Sequence, residues 1–389
     1  MMQNKTILVI PDSFKGALSA ADTGEAIASG VRHALGERKR TNEVLVFPAA
    51  DGGEGTAQAV AAAMHGQFRQ IAAVDLFGHP MEGAYAALPG DVPTAVLDMA
   101  ACCGIGFARQ YGPDPMRAST YGVGMMLDGL VSLGYKRILV GLGGSGTNDG
   151  GIGALAALGA RFTAADGSLL DGSLGGQVLS RIDTVEISAV QERLAGVELV
   201  LLYDVAVPLT GESGATRMFG RQKGASPEQL DLLENGMLQY ASAIGKAYGE
   251  HIPAADGAGA AGGLGCGLHL AGGRLCHGAG YVLETLGIPE QLRSAALVFT
   301  GEGRTDIQTA RGKLPHTVAR YAKAAGVPCV DICGQADPVD SLYADGMTAI
   351  VSLVNGCITV EESMERTAEL AERAAYNLTR LWLAGQNFK

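Results

Sequence analysis

Four short apolar runs mark the chain, and each ends in a glycine-rich turn that carries ionisable side chains. The runs are Ile7–Ile10, Val44–Phe47, Ile138–Val140 and Leu297–Phe299. Continuous apolar runs of this length are typical of strands buried on both faces, as in a parallel sheet. Because ligands bind such sheets at the carboxyl ends of the strands, we expect the four turns to share a crevice.

Helical periodicity alternates with these strands near both ends of the chain. Ser19 is a predicted N-cap with Asp22 three residues later, and Gly36 is the predicted C′ glycine of the same helix. A second helix is expected over 56–64. Towards the other end we predict strands over 296–299, 329–332 and 348–353, and helices over 313–325 and 360–383, the last capped by Thr359.

The middle of the chain has a different pattern. Residues 67–100 alternate in polarity around a turn signal at Phe77–Pro80, which predicts a hairpin. Residues 197–203 form another apolar run, and the glycine-rich segment 253–280 contains too many apolar residues for a linker. We therefore predict an α/β fold with a discontinuous Rossmann-like, doubly wound domain. Residues 1–66 and 290–389 would form it, residues 67–289 would be an inserted second α/β domain, and the active site would lie in the cleft between them.

Composition narrows the function classes. A length of 389 residues suggests about two domains, and a hydrophobic fraction of 47% argues against disorder. Only 5% of residues are aromatic and the net charge is -11, so neither nucleic acid nor an anionic membrane is an expected partner. An anionic substrate would need a local basic pocket, for which Lys15, Arg304 and Lys313 are candidates.

The seven cysteines include no C-x-x-C pair, which fits reduced thiols in the cytosol. Cys329 and Cys333 are expected to be buried as small hydrophobic residues. No run approaches the ~18 apolar residues of a membrane span, and the first apolar run is too short for a signal peptide. The predicted location is therefore cytoplasmic.

Two segments match a dinucleotide-binding fingerprint formally. Gly141-x-Gly143-x-x-Gly146 follows a predicted strand, whereas Gly257-x-Gly259-x-x-Gly262 does not. Because 57 of the 389 residues are glycine, about twice the usual share of about 7%, chance matches are expected. The pair Gly312-Lys313 is followed by leucine, so the chain has no Walker A loop. Phosphate cradling by glycine-rich backbone does not require that motif.

The polar residues of the turns also have structural interpretations. Asp51 and Glu54 fit turn and helix-start chemistry, and Asn148-Asp149 fits a helix cap. Lys15 fits a solvated loop charge. A surface ion-pair ladder would account for the alternating residues Glu302, Arg304 and Asp306.

Taken together, six motifs resemble the bacterial glycerate kinase family of the non-Walker, glycerate 2-kinase-like type. They occur in order and span nearly the whole chain: Pro-Asp-Ser-Phe-Lys-Gly-Ala-Leu-Ser-Ala (11–20), Ala-Asp-Gly-Gly-Glu-Gly-Thr (50–56), Gly-Leu-Gly-Gly-Ser-Gly-Thr-Asn-Asp-Gly-Gly (141–151), Gln-Lys-Gly-Ala (222–225), Gly-Ala-Gly-Ala-Ala-Gly-Gly (257–263) and Thr-Gly-Glu-Gly-Arg-Thr-Asp (300–306) with Gly312-Lys313. The sequence departs from the family pattern at Gly146, Val207, Asp256 and His316-Thr317.

The resemblance implies an ATP-dependent kinase that uses Mg²⁺ and phosphorylates D-glycerate to 2-phosphoglycerate. On that basis Asp51, Lys15 and Arg304 are the predicted catalytic residues: Asp51 would orient or deprotonate the hydroxyl, and the two cations would bind the carboxylate or the transferring phosphoryl group. The predicted metal residues are Glu54, Asp149 and Asp204. Predicted substrate- and nucleotide-binding residues are Ser13, Gly52, Gly53, Gly143, Gly144, Ser145, Asn148, Lys223, Gly262, Gly263, Glu302, Asp306 and Lys313.

Two other function classes stay open at this stage. The two glycine fingerprints keep open an NAD-linked oxidoreductase that acts on a small hydroxy acid. The other alternative to a kinase is a non-enzymatic protein that binds a small acid. The number of acidic residues in the glycine-rich turns disfavours the binding protein. Expected partners are D-glycerate and ATP, and the sequence leaves open whether the chain forms a homo-oligomer.

Overall fold

The structure is a computed structural model that describes residues 6–354 and 356–386. Alternating strands and helices make up most of it. The strands, in chain order, are β1 (Thr6–Pro11), β2 (Val44–Val46), β3 (Gln67–Val74), β4 (Pro80–Leu88), β5 (Thr94–Asp98), β6 (Arg137–Gly141), β7 (Arg161–Thr163), β8 (Leu169–Leu170), β9 (Thr184–Glu186), β10 (Glu198–Tyr203), β11 (Arg274–His277), β12 (Ala295–Gly301), β13 (Arg304–Thr305), β14 (Cys329–Cys333), β15 (Gln335–Ala336) and β16 (Met347–Ser352).

Helices connect these strands. The α-helices are α1 (Ala20–Glu37), α2 (Thr56–Met64), α3 (Ala100–Cys103), α4 (Ile105–Tyr111), α5 (Tyr121–Ser132), α6 (Ile152–Ala157), α7 (Ser188–Arg193), α8 (Ala215–Phe219), α9 (Pro227–Tyr248), α10 (Leu264–Leu270), α11 (Gly278–Thr285), α12 (Ile288–Leu292), α13 (Leu314–Ala325), α14 (Asp340–Ala344), α15 (Val360–Glu365) and α16 (Thr367–Gly385). Short 3-10 helices span Gly172–Arg181, Ala260–Gly263 and Thr309–Arg311. In the part of the chain described here, no helix is both long and apolar enough to cross a membrane.

The chain folds into two compact units, each built from separate stretches of sequence. The described residues of the first unit are 6–51, 58–64, 279–354 and 356–386. The second unit comprises Gly52–Ala57 and His65–Gly278.

The first unit is built on a five-stranded parallel sheet with the order β16-β14-β12-β1-β2. Numbered along the chain within the unit, this order is 2-1-3-4-5, which is a doubly wound order. The strand order reverses between β1 and β12, whose Ile10 and Thr300 lie side by side near their carboxyl ends. A switch point of this kind opens a crevice at that edge of the sheet.

Both faces of this sheet are covered, which explains the continuous apolar runs. One face packs Ile7, Val9 and Phe299 against α1 and α16. Leu8, Ile10 and Val298 are also fully buried, and α13 packs against these strands. Since alternate side chains of a strand point to opposite faces, every position must then be apolar.

The second unit contains a six-stranded mixed sheet with the order β11-β10-β6-β5-β4-β3. The strands β11, β10, β6 and β5 are parallel, while β4 and β3 form the antiparallel hairpin predicted for residues 67–100. A small antiparallel sheet, β8-β7-β9, accompanies it. The glycine-rich segment before β11 is largely buried, so it is part of this unit's packing and not a linker.

Most predicted elements are present. Ser19 caps α1 by accepting from the backbone N–H of Asp22, and Thr359 caps α15 by accepting from that of Glu362. The expected helix over 56–64 is α2. Cys329 and Cys333 are buried free thiols, as expected.

Two details of the helix predictions are wrong. Gly36 lies inside α1, and the left-handed position after the helix belongs to Lys39, with a φ of 50°. There the N–H of Arg40 closes the helix on the carbonyl of Leu35. The helix predicted over 360–383 is two helices, α15 and α16. At the break the Thr367 hydroxyl donates to backbone carbonyls of the preceding turn.

Candidate active site

The carboxyl edge of the first unit's sheet opens into a cavity of about 650 Å³. The loops after all five strands of the sheet line it: residues 12–17 after β1, Asp51 after β2, residues 302–306 after β12, residues 334–335 after β14 and residues 352–354 after β16. Three of the four glycine-rich turns singled out in the sequence border this sheet. The fourth, residues 141–151, lies at the carboxyl end of β6, a strand of the second unit's sheet.

Two carboxyl groups line the cavity next to the switch point. Asp12 follows β1 and Asp51 follows β2, and both are almost fully buried. Burial, followed by the neighbouring charge of Asp51, raises the pKa of Asp12 from 3.8 to about 7. The backbone N–H of Ser13 donates to Asp12 Oδ1 over 2.6 Å and opposes part of this rise. A paired site of this kind can hold or accept a proton near neutral pH.

Glu302, on the loop after β12, is a third buried acid of the cavity. It accepts a 2.5 Å hydrogen bond from the Thr309 hydroxyl, and its carboxylate lies 3.8 Å from Lys313 Nζ. Burial raises the pKa of Glu302 to about 8 despite these two favourable contacts. Close to pH 7 the cavity therefore carries less negative charge than its acids alone would suggest.

The three predicted cationic residues line the same cavity but differ in environment. Lys15 is exposed in the turn after β1, and its charge lowers the pKa of Asp12. Lys313 is the N-cap residue of α13. Arg304 is 56% exposed and is ion-paired with Asp337 at 2.7 Å and with Asp306 at 3.7 Å. The ion-pair interpretation thus describes Arg304, whereas Glu302 does not belong to that ladder.

Asp331, a further buried acid of the first unit, lies in the middle of β14 and not in the lining of the cavity. Its Oδ2 accepts from the Thr305 hydroxyl at 2.6 Å, while Oδ1 has no hydrogen-bond partner among the described residues. Burial raises the pKa of Asp331 to about 6. Thr305 ends β13, so the bond ties the loop after β12 to the sheet.

In the second unit, the turn after β6 is organised by hydrogen bonds within the chain. Asp149 is fully buried and accepts from the backbone N–H and the hydroxyl of Thr120, both at 2.8 Å. It also accepts from the N–H groups of Gly151 and Gly153 at the start of α6. Burial nevertheless raises the pKa of Asp149. The capping interpretation therefore accounts for these contacts.

Lys223 is buried beside the same turn. Its Nζ donates to the Ser145 hydroxyl at 2.8 Å and to the Thr147 carbonyl at 2.6 Å. Burial lowers the pKa of Lys223 to about 7, although the charge of Asp149 opposes the shift. The neighbouring Asn148 donates to the Thr216 hydroxyl, and its Oδ1 is buried with no partner in the described chain.

The glycine-rich loops of this unit approach other backbone closely. A Cβ on Gly143 would lie 2.3 Å from Gly53 Cα, and one on Gly262 would lie 2.1 Å from the Thr147 carbonyl oxygen. Ala261, Gly262 and Gly263 adopt positive φ in succession. Glycine is therefore required here to pack one loop against another within the unit.

The three predicted metal residues are not gathered into one cluster. Glu54 lies in the turn before α2, near Asp98, while Asp149 caps α6 and Asp204 follows β10. Within the described ranges, no group of three or more His, Cys, Asp and Glu side chains is arranged to hold a metal ion. These assignments stay predictions.

The remaining predicted binding residues divide between the two units. Ser13 and Asp306 line the first unit's cavity, while Gly52, Gly53, Gly144, Ser145 and Gly263 lie in the second unit. Gly52 accepts through its carbonyl from the N–H of Gly143. None of the departures Val207, Asp256 and His316-Thr317 lines the cavity of the first unit.

Three buried acids whose pKa is raised by burial were not among the predicted site residues, namely Asp12, Asp98 and Asp331. Asp98 ends β5 and accepts from the N–H groups of Gly55 and Ala57, which fixes the start of α2. Burial raises the pKa of Asp98 to about 7. Each of the three lies at the end of an apolar run or inside one, and that position was the available signal.

Comparison with known proteins gives one consistent set of relatives. Residues 7–383 match the glycerate kinase family. A protein named glycerate kinase from Bacillus subtilis (strain 168) is 38% identical over 374 residues, covering 96% of each chain. The glycerate 2-kinase of Escherichia coli (strain K12) is 34% identical over 374 residues, again covering 96% of each chain. A crystal structure from Salmonella typhimurium LT2, assigned as a glycerate kinase 2, matches with a TM-score of 0.83 at 34% identity and covers 99% of this chain and 100% of that one.

Proposed function

The chain belongs to the glycerate kinase family and is a glycerate kinase, and we propose that it transfers the terminal phosphoryl group of ATP to the 2-hydroxyl of D-glycerate. The 2-phosphoglycerate product is supported by the name of the Escherichia coli relative, and the use of ATP by membership of a kinase family. The observation that carries the residue assignments is the cavity at the switch point, where buried carboxyls and cations converge.

Charge in the cavity suits anionic ligands in spite of the net charge of -11. Lys15, Arg304 and Lys313 line it, and raised pKa values leave Asp12 and Glu302 partly protonated near neutral pH. Phosphoryl transfer depends mainly on positioning and charge neutralisation, and cations that line the cavity contribute to both. We assign Lys15 and Lys313 to the phosphates or the substrate carboxylate. Arg304 is ion-paired with Asp337, and we assign it to the solvent-exposed edge of the cavity.

Asp51 is the proposed acceptor of the hydroxyl proton. As the O–P bond to glycerate forms, the bond between the γ-phosphorus and the bridging oxygen breaks, and ADP leaves with that electron pair. The hydroxyl proton passes to the Asp51 carboxylate. In the absence of a cation Asp12, whose pKa is raised to about 7, holds a proton for part of the time near neutral pH, and a bound cation would displace that proton.

A magnesium ion fits the donor chemistry of this cavity. Carboxylate oxygens are the ligands that Mg²⁺ prefers, and it commonly takes one or two from the protein and the rest from phosphates and water. The Asp12 carboxylate meets that requirement beside the proposed base Asp51, and a three-residue cluster is not needed. When bound, the ion would neutralise charge on the phosphates. The earlier candidates Glu54, Asp149 and Asp204 stay alternatives.

We also propose a domain organisation for the chain. The 2-1-3-4-5 order of the first unit supports a discontinuous Rossmann-like domain with a second α/β domain inserted in its sequence. That the reaction also draws on Lys223, Asn148 and the glycine-rich loops of the second unit stays a prediction. So do the cytoplasmic location and any oligomer.

A coupled assay tests the activity. We expect ADP release that depends on D-glycerate and gives 2-phosphoglycerate, with no reduction of nicotinamide cofactors. Asp51→Asn keeps the shape of the side chain but removes its basicity, so kcat should fall by about 10²–10⁴-fold while calorimetry still detects glycerate and nucleotide binding. Nicotinamide reduction without ADP release would replace the kinase by an oxidoreductase. Unchanged kcat in Asp51→Asn would remove Asp51 from its role as base.

A further inference from the structure

The cavity of the first unit has two walls of opposite chemistry. The acids and cations described above occupy the loops after β1, β2 and β12. Another part of the lining, which we call the aliphatic wall, consists of Leu353, Val354, Ile358, Val360 and Met364, from the loop after β16 and from α15.

Much of the aliphatic wall is exposed. Val354 is 39%, Met364 40% and Val360 71% exposed, which is unusual for three large apolar side chains that line one cavity. Met364 reaches towards the turn after β1, since a Cβ on Gly16 would lie 3.1 Å from its Cε. A contiguous apolar patch in a concave site typically marks a binding surface.

D-Glycerate is a poor occupant for this wall. Every carbon of the three-carbon acid carries oxygen, so the molecule has almost no apolar surface to bury, and it fills only a small part of 650 Å³. The second substrate of a kinase supplies what is missing, because a nucleobase is a flat ring with two apolar faces.

The spacing across the sheet agrees with one nucleotide spanning both walls. Leu353 follows β16 and Asp12 follows β1, and three strand spacings separate these strands, which is roughly 14 Å. This separation is comparable with the distance from the base to the terminal phosphate of an extended nucleoside triphosphate.

We propose that the aliphatic wall binds the nucleobase of the nucleotide, with the phosphates directed towards Lys15 and Lys313. The inference rests on the proposed kinase function and adds the orientation of its nucleotide. The wall consists of aliphatic side chains, and two of the hydroxyl groups beside it already donate to the backbone, Ser352 to the Gly334 carbonyl and Thr367 to the Ser363 carbonyl. The wall therefore contacts the faces of the ring.

A neutral polar double variant, Val360→Asn with Met364→Gln, tests the wall without adding charge. Calorimetry with ADP should show an affinity about tenfold weaker, since aliphatic cover of the ring is lost. Affinity for inorganic tripolyphosphate should not change, because it has no base. In steady state the KM for ATP should rise, while kcat at saturation and the KM for D-glycerate stay the same. Leu381→Gln is the matched control, because Leu381 on α16 is also 71% exposed and lies outside the cavity.

Three results would overturn this orientation. In the first, ADP binds the double variant as tightly as the wild type. In the second, the affinity for tripolyphosphate falls as much as the affinity for ADP. In the third, the KM for D-glycerate rises and the KM for ATP does not. Sedimentation showing a wild-type dimer that the variant abolishes, with ADP affinity unchanged, would assign the wall to contacts between copies. The calorimetric measurements do not require turnover. If the wild type binds ADP but shows no kinase activity, the proposed function is rejected while the binding site for the base is not.

Discussion

Burial of single side chains controls the electrostatics of the cavity. Asp12 and Glu302 are raised in pKa to about 7 and about 8 because few water molecules can solvate their charged forms. The sequence shows only acids in glycine-rich turns, which on an exposed surface would repel an anionic substrate. In the folded unit the same acids share a cavity with cations and hold protons near pH 7, so the local charge differs from the charge of the whole chain.

Lys15 is the cation that we expect to matter most for catalysis. Replacing it in Lys15→Ala should lower kcat/KM for D-glycerate by about 10²-fold, because a charge contact to an anion would be lost at a partly desolvated site. Lys136→Ala removes another exposed lysine, in the second unit, and should leave kcat/KM unchanged. Wild-type kinetics in a folded Lys15→Ala protein would exclude Lys15 from the site.

Asp331 should make stability depend on pH. Burial raises the pKa of Asp331 from 3.8 to about 6, which corresponds to roughly 3 kcal/mol between its two protonation states. Because the folded pKa is the higher one, the stabilisation is complete below pH 4 and is lost as the pH rises through 6. Asp331→Asn cannot ionise, so it should be more stable than the wild type by about 1–3 kcal/mol at pH 8 but not at pH 4.

Urea unfolding at several pH values, followed by the fluorescence of the single tryptophan, Trp382, measures this difference in the first unit. The exposed control Asp340→Asn should change the free energy of unfolding by less than about 0.5 kcal/mol at each pH. If the free energies of unfolding of Asp331→Asn and the wild type differ by the same amount at every pH, ionisation of Asp331 is not the cause of the difference.

At the scale of elements, helix α1 depends on a glycine where it meets α16. A Cβ on Gly30 would lie 2.0 Å from the carbonyl oxygen of Glu372, whereas one on Gly36 would meet nothing within 4 Å. The close approach is reinforced by a hydrogen bond from the Ser29 hydroxyl to Glu372. One helix thus carries two glycines with opposite roles.

This contrast gives a matched pair of variants. Gly30→Ala should destabilise the protein by about 1–3 kcal/mol through overpacking against backbone that cannot rotate away. Gly36→Ala should stabilise it by about 0.5–1 kcal/mol, since alanine loses less backbone entropy in a helix. Chemical unfolding followed by circular dichroism compares the two. Equal effects of both substitutions would show that α1 and α16 do not approach as described.

At the scale of the whole molecule, each unit has its own hydrophobic core. Phe299 is buried in the core of the first unit and Phe162 in that of the second. Chains with separate cores often depart from two-state unfolding. Phe299→Ala and Phe162→Ala should each cost about 3–5 kcal/mol, and each should speed hydrogen exchange mainly in its own unit. Uniform acceleration across both units by either variant would indicate a single cooperative unit.

Local pattern was sufficient for most elements of this fold. The runs before residues 11 and 300 are buried strands because both faces of the sheet are covered, whereas the run from Val44 is the partly buried edge strand β2. Side-chain caps at Ser19 and Thr359 fix helix starts. The errors occurred where the deciding contact is not the one that residue type suggests. Lys39 takes the left-handed position in place of Gly36, and the Thr367 hydroxyl marks a helix break that periodicity does not show.

The sequence by itself determined the class of fold, the glycine-rich turns at strand ends and, through the joint occurrence of six motifs, the family. These properties are encoded by neighbouring residues, whose spacing is visible along the chain. Only the tertiary structure decided that Asp12, Asp51 and Glu302 line one cavity, that Arg304 is paired with Asp337, and that Asp149 caps a helix. Burial and charge pairing depend on residues far apart in sequence, so proton affinity and cavity chemistry exist only once strands β1, β2 and β12 lie side by side.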